Sequence, residues 1–199
     1  KKESMLETDL GLGPLNGHAV GRILKEAVRR AAVVIQSKRF QFTLETKRGY
    51  SGKMDDVVTD ADKEAQEIYK RTFRECFPTC GVIAEEDELK IESSDGCTAY
   101  FTVDPLDGTK AYARKQSHGV ATMVALVDKG DVLSAYIGDI NAQEVYGFRP
   151  GSSHVHRISQ LDTFNKLSPA APLESDPFDT AVLLRDPIHK YAPPTQDLI

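Results

Sequence analysis

Two stretches of helical periodicity are followed by a run of strand-like stretches, and that order narrows the available folds more than any other feature. Val20, Ile23, Leu24, Ala27, Ala31, Val34 and Ile35 recur at spacings of three and four, which aligns them on one face of an α-helix. Arg22, Lys25, Glu26, Arg29 and Arg30 fall on the side expected to face water. A second helix is expected after Thr59, a residue type that caps helices, with Asp60 and Asp62 in the first turn where the helix dipole favours anions. Its apolar face runs through Ala65, Ile68, Tyr69, Thr72, Phe73 and Cys76, and Pro78 marks its exit. Between the helices, Phe40, Phe42 and Leu44 alternate ahead of Gly49 and Gly52, which suits a strand or hairpin.

From Gly81 the period changes. Residues 81–84, 100–103, 120–127, 132–137 and 144–148 each read as strands. Residues 120–127 are almost continuously apolar, as in a central strand. Asp128-Lys129-Gly130-Asp131 is a hairpin turn between two of them. Helices first and strands after predict an α+β fold, with helices packed on a mixed or largely antiparallel sheet. Residues 1–16 read as a loose arm, 17–150 as the α+β domain, and 151–199 as a linker plus the partial start of a second domain. Seven of the ten prolines fall after residue 149, and only residues 180–184 there look like a strand.

Bulk properties exclude several functions. A net charge of −5 argues against general nucleic-acid binding, which needs a basic face. No apolar run approaches the roughly 20 residues of a membrane helix, and the first residues show no hydrophobic signal core. Cys76, Cys80 and Cys97 are too few and odd in number for a disulfide framework. The expectation is a soluble, cytoplasmic protein with reduced cysteines.

Three acidic clusters stand at element ends, where catalytic groups are commonly placed. The first is residues 55–62, containing Asp55, Asp56, Asp60 and Asp62. The second is Glu85-Glu86-Asp87, and the third is Asp104-Pro105-Leu106-Asp107-Gly108-Thr109. In the third, a tight Pro-Leu step brings two carboxylates toward one point. Gly108 lets backbone approach a ligand, and the amides of Gly108 and Thr109 face an anion if a helix starts there. Carboxylates beside an anion site conflict electrostatically unless a divalent metal lies between them, held by oxygen and gripping phosphate. A phospho-aspartate mechanism of the haloacid dehalogenase type is excluded, because its Asp-x-Asp-Gly-Thr pattern would put the nucleophile at Pro105. Asp55 and Asp56 read as solvated loop charges.

Ile83-Ala84-Glu85-Glu86, the segment Val103 to Thr109, and Val58-Thr59-x-x-Asp62 together resemble the inositol monophosphatase family of lithium-sensitive, magnesium-dependent phosphatases. The resemblance covers about half the chain, from Lys53 to Phe148. Lys110 after Asp-Gly-Thr and Asp87 after Glu-Glu look closer to the 3′(2′),5′-bisphosphate nucleotidase branch. The resemblance implies a layered sugar-phosphatase-like sandwich with its C-terminal domain incomplete here.

It also implies roles. Glu85, Asp104 and the Leu106 carbonyl would hold one Mg²⁺, and Asp104 and Asp107 a second, with two or three ions in a complete enzyme. Glu85 and Thr109 would activate water, Asp62 would orient it, and Glu86 would orient water or a ligand. Asp107, Gly108 and Thr109 would meet the phosphate. The substrate would be a small phosphate ester, 3′-phosphoadenosine 5′-phosphate or an inositol monophosphate; dimers are common among such relatives.

The family's later Trp-Asp-x-Ala-Ala-Gly-like segment has no counterpart here, since the chain contains no Trp. A truncated or divergent member that binds metal or phosphate without turnover is therefore the alternative. Other candidates are weaker. His154 and His156 suit a solvated strand or loop, His118 a packing or capping role, and His189 carries no signal. Arg114 and Lys115 suit either a second substrate phosphate or a solvated loop.

Overall fold

In the computed structural model, which describes residues 12, 15–48, 54 and 56–168, helix α1 (Gly17–Ser37) starts at Asn16, whose side chain accepts from the Ala19 amide at 3.0 Å. It buries Val20, Leu24, Ala27, Val28, Ala31 and Ile35 as one stripe. Strand β1 (Leu44–Lys47) pairs antiparallel with β2 (Asp56–Thr59), so the expected hairpin exists, with Phe40 and Phe42 ahead of it rather than in it. Residues 49–53, with both expected glycines, lie outside the described residues. Thr59 closes β2 and caps α2 (Asp60–Cys76) through a reciprocal capping box with Asp62. The buried face of α2 includes Ala61, Asp62 and Gln66 beside Ala65, Tyr69 and Phe73, so it is turned slightly from the purely apolar stripe.

The main sheet runs in the order β10-β9-β8-β7-β6-β5-β3-β4. Its members are β3 (Gly81–Ala84), β4 (Lys90–Ile91), β5 (Tyr100–Asp107), β6 (Ala121–Asp128), β7 (Asp131–Asp139), β8 (Glu144–Phe148), β9 (His156–Ile158) and β10 (Phe164–Lys166). Strands β3 and β5 are parallel, and the other pairings are antiparallel. The α+β class and the mixed sheet are as expected. Between β6 and β7, Lys129 and Gly130 take φ of 51° and 92°, the positive values of the hairpin turn that matches strand twist.

Helices α1 and α2 pack on each other and on the sheet, α1 against β6, β7 and β8, and α2 against β5. Phe73 of α2 stacks on Phe101 of β5 with centroids 4.1 Å apart, and Phe77 adds a tilted contact at 4.9 Å. The Tyr69 hydroxyl lies 2.7 Å from Thr122 Oγ1 on β6. Among the described residues the opposite sheet face is open: Ile83 and Ile137 are each 43% exposed. Cys80 and Cys97 are free thiols with sulfurs 3.6 Å apart, and burial pushes the Cys80 thiol up to about 12. No described helix is long and apolar enough to cross a membrane.

The structure corrects the reading of both chain ends. The stretch after Pro150 is not only linker, because β9 and β10 extend the sheet and the compact unit runs to Leu167. At the other end, Leu12 is buried in the core and Leu15 packs against it, so the arm is not wholly loose. Lys25 and Arg29 are not on a wet face. The Lys25 side chain is 11% exposed and meets Asp162 at 2.7 Å, while Arg29 meets Asp162 at 3.0 Å and the Ser159 carbonyl at 2.6 Å. The strand expected at residues 180–184 lies outside the described residues.

The Phe73–Phe101 stack pins α2 to β5 inside the core. Phe101→Ala is expected to lower the unfolding free energy by about 3–5 kcal/mol, measured by urea denaturation; a loss under about 1 kcal/mol would show that the ring is not structurally central.

Candidate active site

Strand β5 carries Asp104 and Asp107, three positions apart, so a regular strand would point them to opposite faces. The register slips between them. Asp104 pairs with Met123 and Asp107 with Ala121, so three steps on β5 oppose two on β6. Pro105 and Leu106 are both buried, whereas Asp104 and Asp107 are both partly exposed. The bulge thus brings both carboxylates to one side, and Pro105, lacking an N–H, sits in the irregular step. The expected tight turn is instead a bulged strand.

Immediately after, Gly108 adopts φ 82° and opens the short helix α3 (Thr109–Ala113). A Cβ at Gly108 would stand 1.9 Å from the Gly119 carbonyl oxygen, which leaves room for glycine alone.

Glu85 follows β3, which runs parallel beside β5, so both strands deliver carboxylates at the same sheet end. The loop is clamped to α2. Gln66 Nε2 donates to the Glu86 carbonyl at 2.9 Å, and the Glu86 amide donates to Gln66 Oε1 at 3.0 Å. Lys47 of β1 donates to Glu85 at 3.1 Å and to the buried Glu86 at 2.8 Å. Burial opposes the charge on Lys47, but its bonds to Glu86 and Glu85 outweigh that and hold the ammonium protonated.

Asp104 is the group under electrostatic stress. Burial, the charges of Glu85 and Asp107, and a hydrogen bond with Glu85 push its pKa up to about 7. Its Oδ1 is buried and has no hydrogen-bond partner. These are hard oxygen donors with an unanswered negative charge, the donor chemistry that Mg²⁺ takes. Yet among the described residues no three His, Cys, Asp or Glu side chains meet closely enough to hold an ion as they stand. Glu85 and Asp107 lie close enough to Asp104 for their charges to act on it.

Asp62 is wholly buried. Its Oδ2 accepts from the Thr59 amide at 2.8 Å and the Thr59 hydroxyl at 2.5 Å. Its Oδ1 accepts from the Thr109 hydroxyl at 2.9 Å, an oxygen also 3.0 Å from the Leu106 carbonyl. Burial raises the Asp62 pKa and the threonine bonds oppose that rise. Asp62 and Thr109, 47 positions apart, are thereby joined into one chain of hydrogen bonds.

Other acidic and basic candidates go elsewhere. Asp56 pairs with Lys110 at 3.4 Å, and Asp60 bonds Lys38 at 2.8 Å and the Thr43 amide at 2.9 Å. Asp55 lies outside the described residues, as does His189. His118 and Arg114 are exposed, and Lys115 lies over the Phe40 ring at 5.6 Å. His156 lies on β9, 6.1 Å from the Phe164 ring. Lys47 and Gln66 carry no signal in the sequence, because neither sits in a motif and their partners are 38 to 39 and 20 positions away.

The sequence model of the inositol monophosphatase family matches residues 18–169. The chain belongs to that family. The inositol-1-monophosphatase of Bacillus subtilis is 27% identical over 170 residues, covering 84% of this chain and 58% of that protein. The 3′(2′),5′-bisphosphate nucleotidase CysQ of Buchnera aphidicola is 32% identical over 73 residues, covering 37% of this chain and 27% of its own. Among solved structures, the extragenic suppressor protein suhB of Bartonella henselae superposes with a TM-score of 0.61 at 23% identity, over 74% of this chain and 52% of that one. An IMPase/NADP phosphatase complexed with Mg²⁺ and phosphate gives 0.58 at 21% identity, over 71% and 51%. These likenesses show the inositol monophosphatase fold, and the chain spans 58% or less of the length of the relatives named.

Replacing Gln66 by Leu would strand the Glu86 amide and carbonyl together. We expect Gln66→Leu to cost about 1–3 kcal/mol of unfolding free energy, read by urea denaturation; a change under about 0.5 kcal/mol would mean that water replaces both bonds.

Proposed function

We propose that this chain is the metal- and phosphate-binding half of a Mg²⁺-dependent phosphomonoesterase that hydrolyses a small phosphorylated metabolite. The observation that carries this reading is the orphaned, buried Oδ1 of Asp104 between Glu85 and Asp107. Glu85, Asp104 and the Leu106 carbonyl would hold one ion, and Asp104 and Asp107 a second. Bound Mg²⁺ would place positive charge against the phosphoryl oxygens and polarise the attacking water.

The chain's own groups do the rest. The Thr109 hydroxyl donates to Asp62, which leaves its lone pairs to accept a hydrogen bond from water, and Glu85 would take that water's proton. The amides of Gly108 and Thr109, at the start of α3, would orient the phosphate. Water oxygen bonds to phosphorus, the ester P–O bond breaks, and the alcohol departs with a proton, leaving inorganic phosphate. Glu86, buried and paired with Lys47, is read as positioning Glu85.

Support for the substrate class comes from relatives named as inositol-1-monophosphatase and 3′(2′),5′-bisphosphate nucleotidase. The two substrates in view are therefore an inositol monophosphate and 3′-phosphoadenosine 5′-phosphate. The alternative is a truncated or divergent member that binds metal or phosphate without turnover.

Phosphate release from both substrates, with and without Mg²⁺, tests the proposal. The reading predicts Mg²⁺-dependent release that Asp104→Asn nearly abolishes while circular dichroism stays unchanged. Unaltered release by the variant would refute the assigned site, and Mg²⁺ binding without release of phosphate from either ester would favour the non-catalytic reading.

A further inference from the structure

On the outer half of α1, His18, Gly21, Arg22 and Lys25 fall at helical spacing along one face and border a cavity of about 590 Å³. Strands β7 to β10 close it. None of its lining residues belongs to the recess beside Glu85 and Asp104. A volume of this size is in the range of small-molecule sites.

Two glycines let the Tyr136 and Arg149 side chains pack close at its edge. A Cβ on Gly21 would lie 2.5 Å from Arg149 Cβ and 2.9 Å from the Tyr136 hydroxyl, and one on Gly147 would lie 2.3 Å from Tyr136 Cδ1. The Tyr136 ring is thus laid between them, with its hydroxyl ending beside Gly21. The residue is 5% exposed. Burial pushes its pKa up to about 12 against the nearby Arg149 charge, so it remains a donor.

The charges are unbalanced. Lys25 is matched by Asp162. Arg22 pairs with no carboxylate among the described residues, and Arg149 gives one of its donors to the Pro150 carbonyl at 3.2 Å. Among the described residues both guanidinium groups keep donors for oxygen acceptors, although the Arg22 charge also acts on Asp162, in a chain whose net charge is −5. Ile158 and the Phe164 ring supply apolar lining, beside His156 and Asp162.

We propose that this cavity binds a small organic anion, a carboxylate or phosphate borne on an aromatic or apolar body. Arg22 and Arg149 face the anionic oxygens, the Tyr136 hydroxyl donates to them, and Phe164 and Ile158 pack on the body.

The experiment is amide NMR on the ¹⁵N-labelled full chain in EDTA, which keeps divalent ions from the carboxylate cluster. Phenyl phosphate, benzoate and inorganic phosphate are titrated separately. Saturable shifts at Gly21, Arg22, Gly147 and Arg149 are expected with phenyl phosphate or benzoate, each more tightly than with inorganic phosphate, and the tighter of the two identifies the anion. Arg22→Glu, at an exposed helix position, should weaken binding about tenfold or more with the rest of the spectrum unchanged. Absence of saturable shifts with every probe, shifts confined to residues 108–112, or equal binding by the variant would overturn the proposal.

Discussion

Asp104 is a carboxylate with a buried, unpartnered oxygen, pressed between Glu85 and Asp107. No described cation sits against that oxygen, and the surrounding architecture keeps it in place. Below it, Phe101 is locked between Phe73 and Phe77, so β5 cannot slide. Beside it, the reciprocal bonds of Gln66 hold the Glu85-Glu86 loop against α2. Beyond it, Thr59, Asp62 and Thr109 link the start of α2 to the start of α3. Three separate devices hold acidic or hydroxyl groups in the neighbourhood of Asp104, at the cost of crowding like charges. Such crowding is stable where a cation resolves it.

Part of that positive charge comes from Lys47, whose ammonium bridges Glu85 and Glu86. Glu86 is deeply buried, so its pairing with Lys47 offsets a desolvation cost that Glu85, one third exposed, does not bear. Glu85 thus shares the lysine while remaining open toward Asp104. A divalent ion entering beside Asp104 would compete with Lys47 for Glu85 but not for Glu86. This division of labour separates a carboxylate that holds the loop from one that can turn toward a ligand.

Much of this was legible in the sequence because the decisive patterns are local. Helical spacing from Val20 to Ile35, the Thr59 cap, the Asp128–Asp131 turn and the acidic ends of β3 and β5 all depend on neighbours within a few residues. The phase slip at Pro105 was not legible as a bulge, since its evidence is the pairing of β5 with β6. The hairpin of β9 and β10 was hidden for a related reason. It has little apolar alternation, and what ties it to α1 is Lys25 and Arg29 reaching Asp162 and Ser159, contacts 137 and 130 positions apart. Basic residues on a helix read as solvated until their distant partners are known. Lys47 and Gln66 escaped notice on the same ground.

Manganese tests the central arrangement without depending on turnover, because Mn²⁺ binds like Mg²⁺ to hard oxygen donors and broadens nearby NMR signals. At substoichiometric Mn²⁺, the amides of Glu85, Asp104 and residues 106–109 should vanish first, and Asp104→Asn should abolish that selectivity. Broadening spread over the acidic surface, or selective broadening that survives in the variant, would contradict the account.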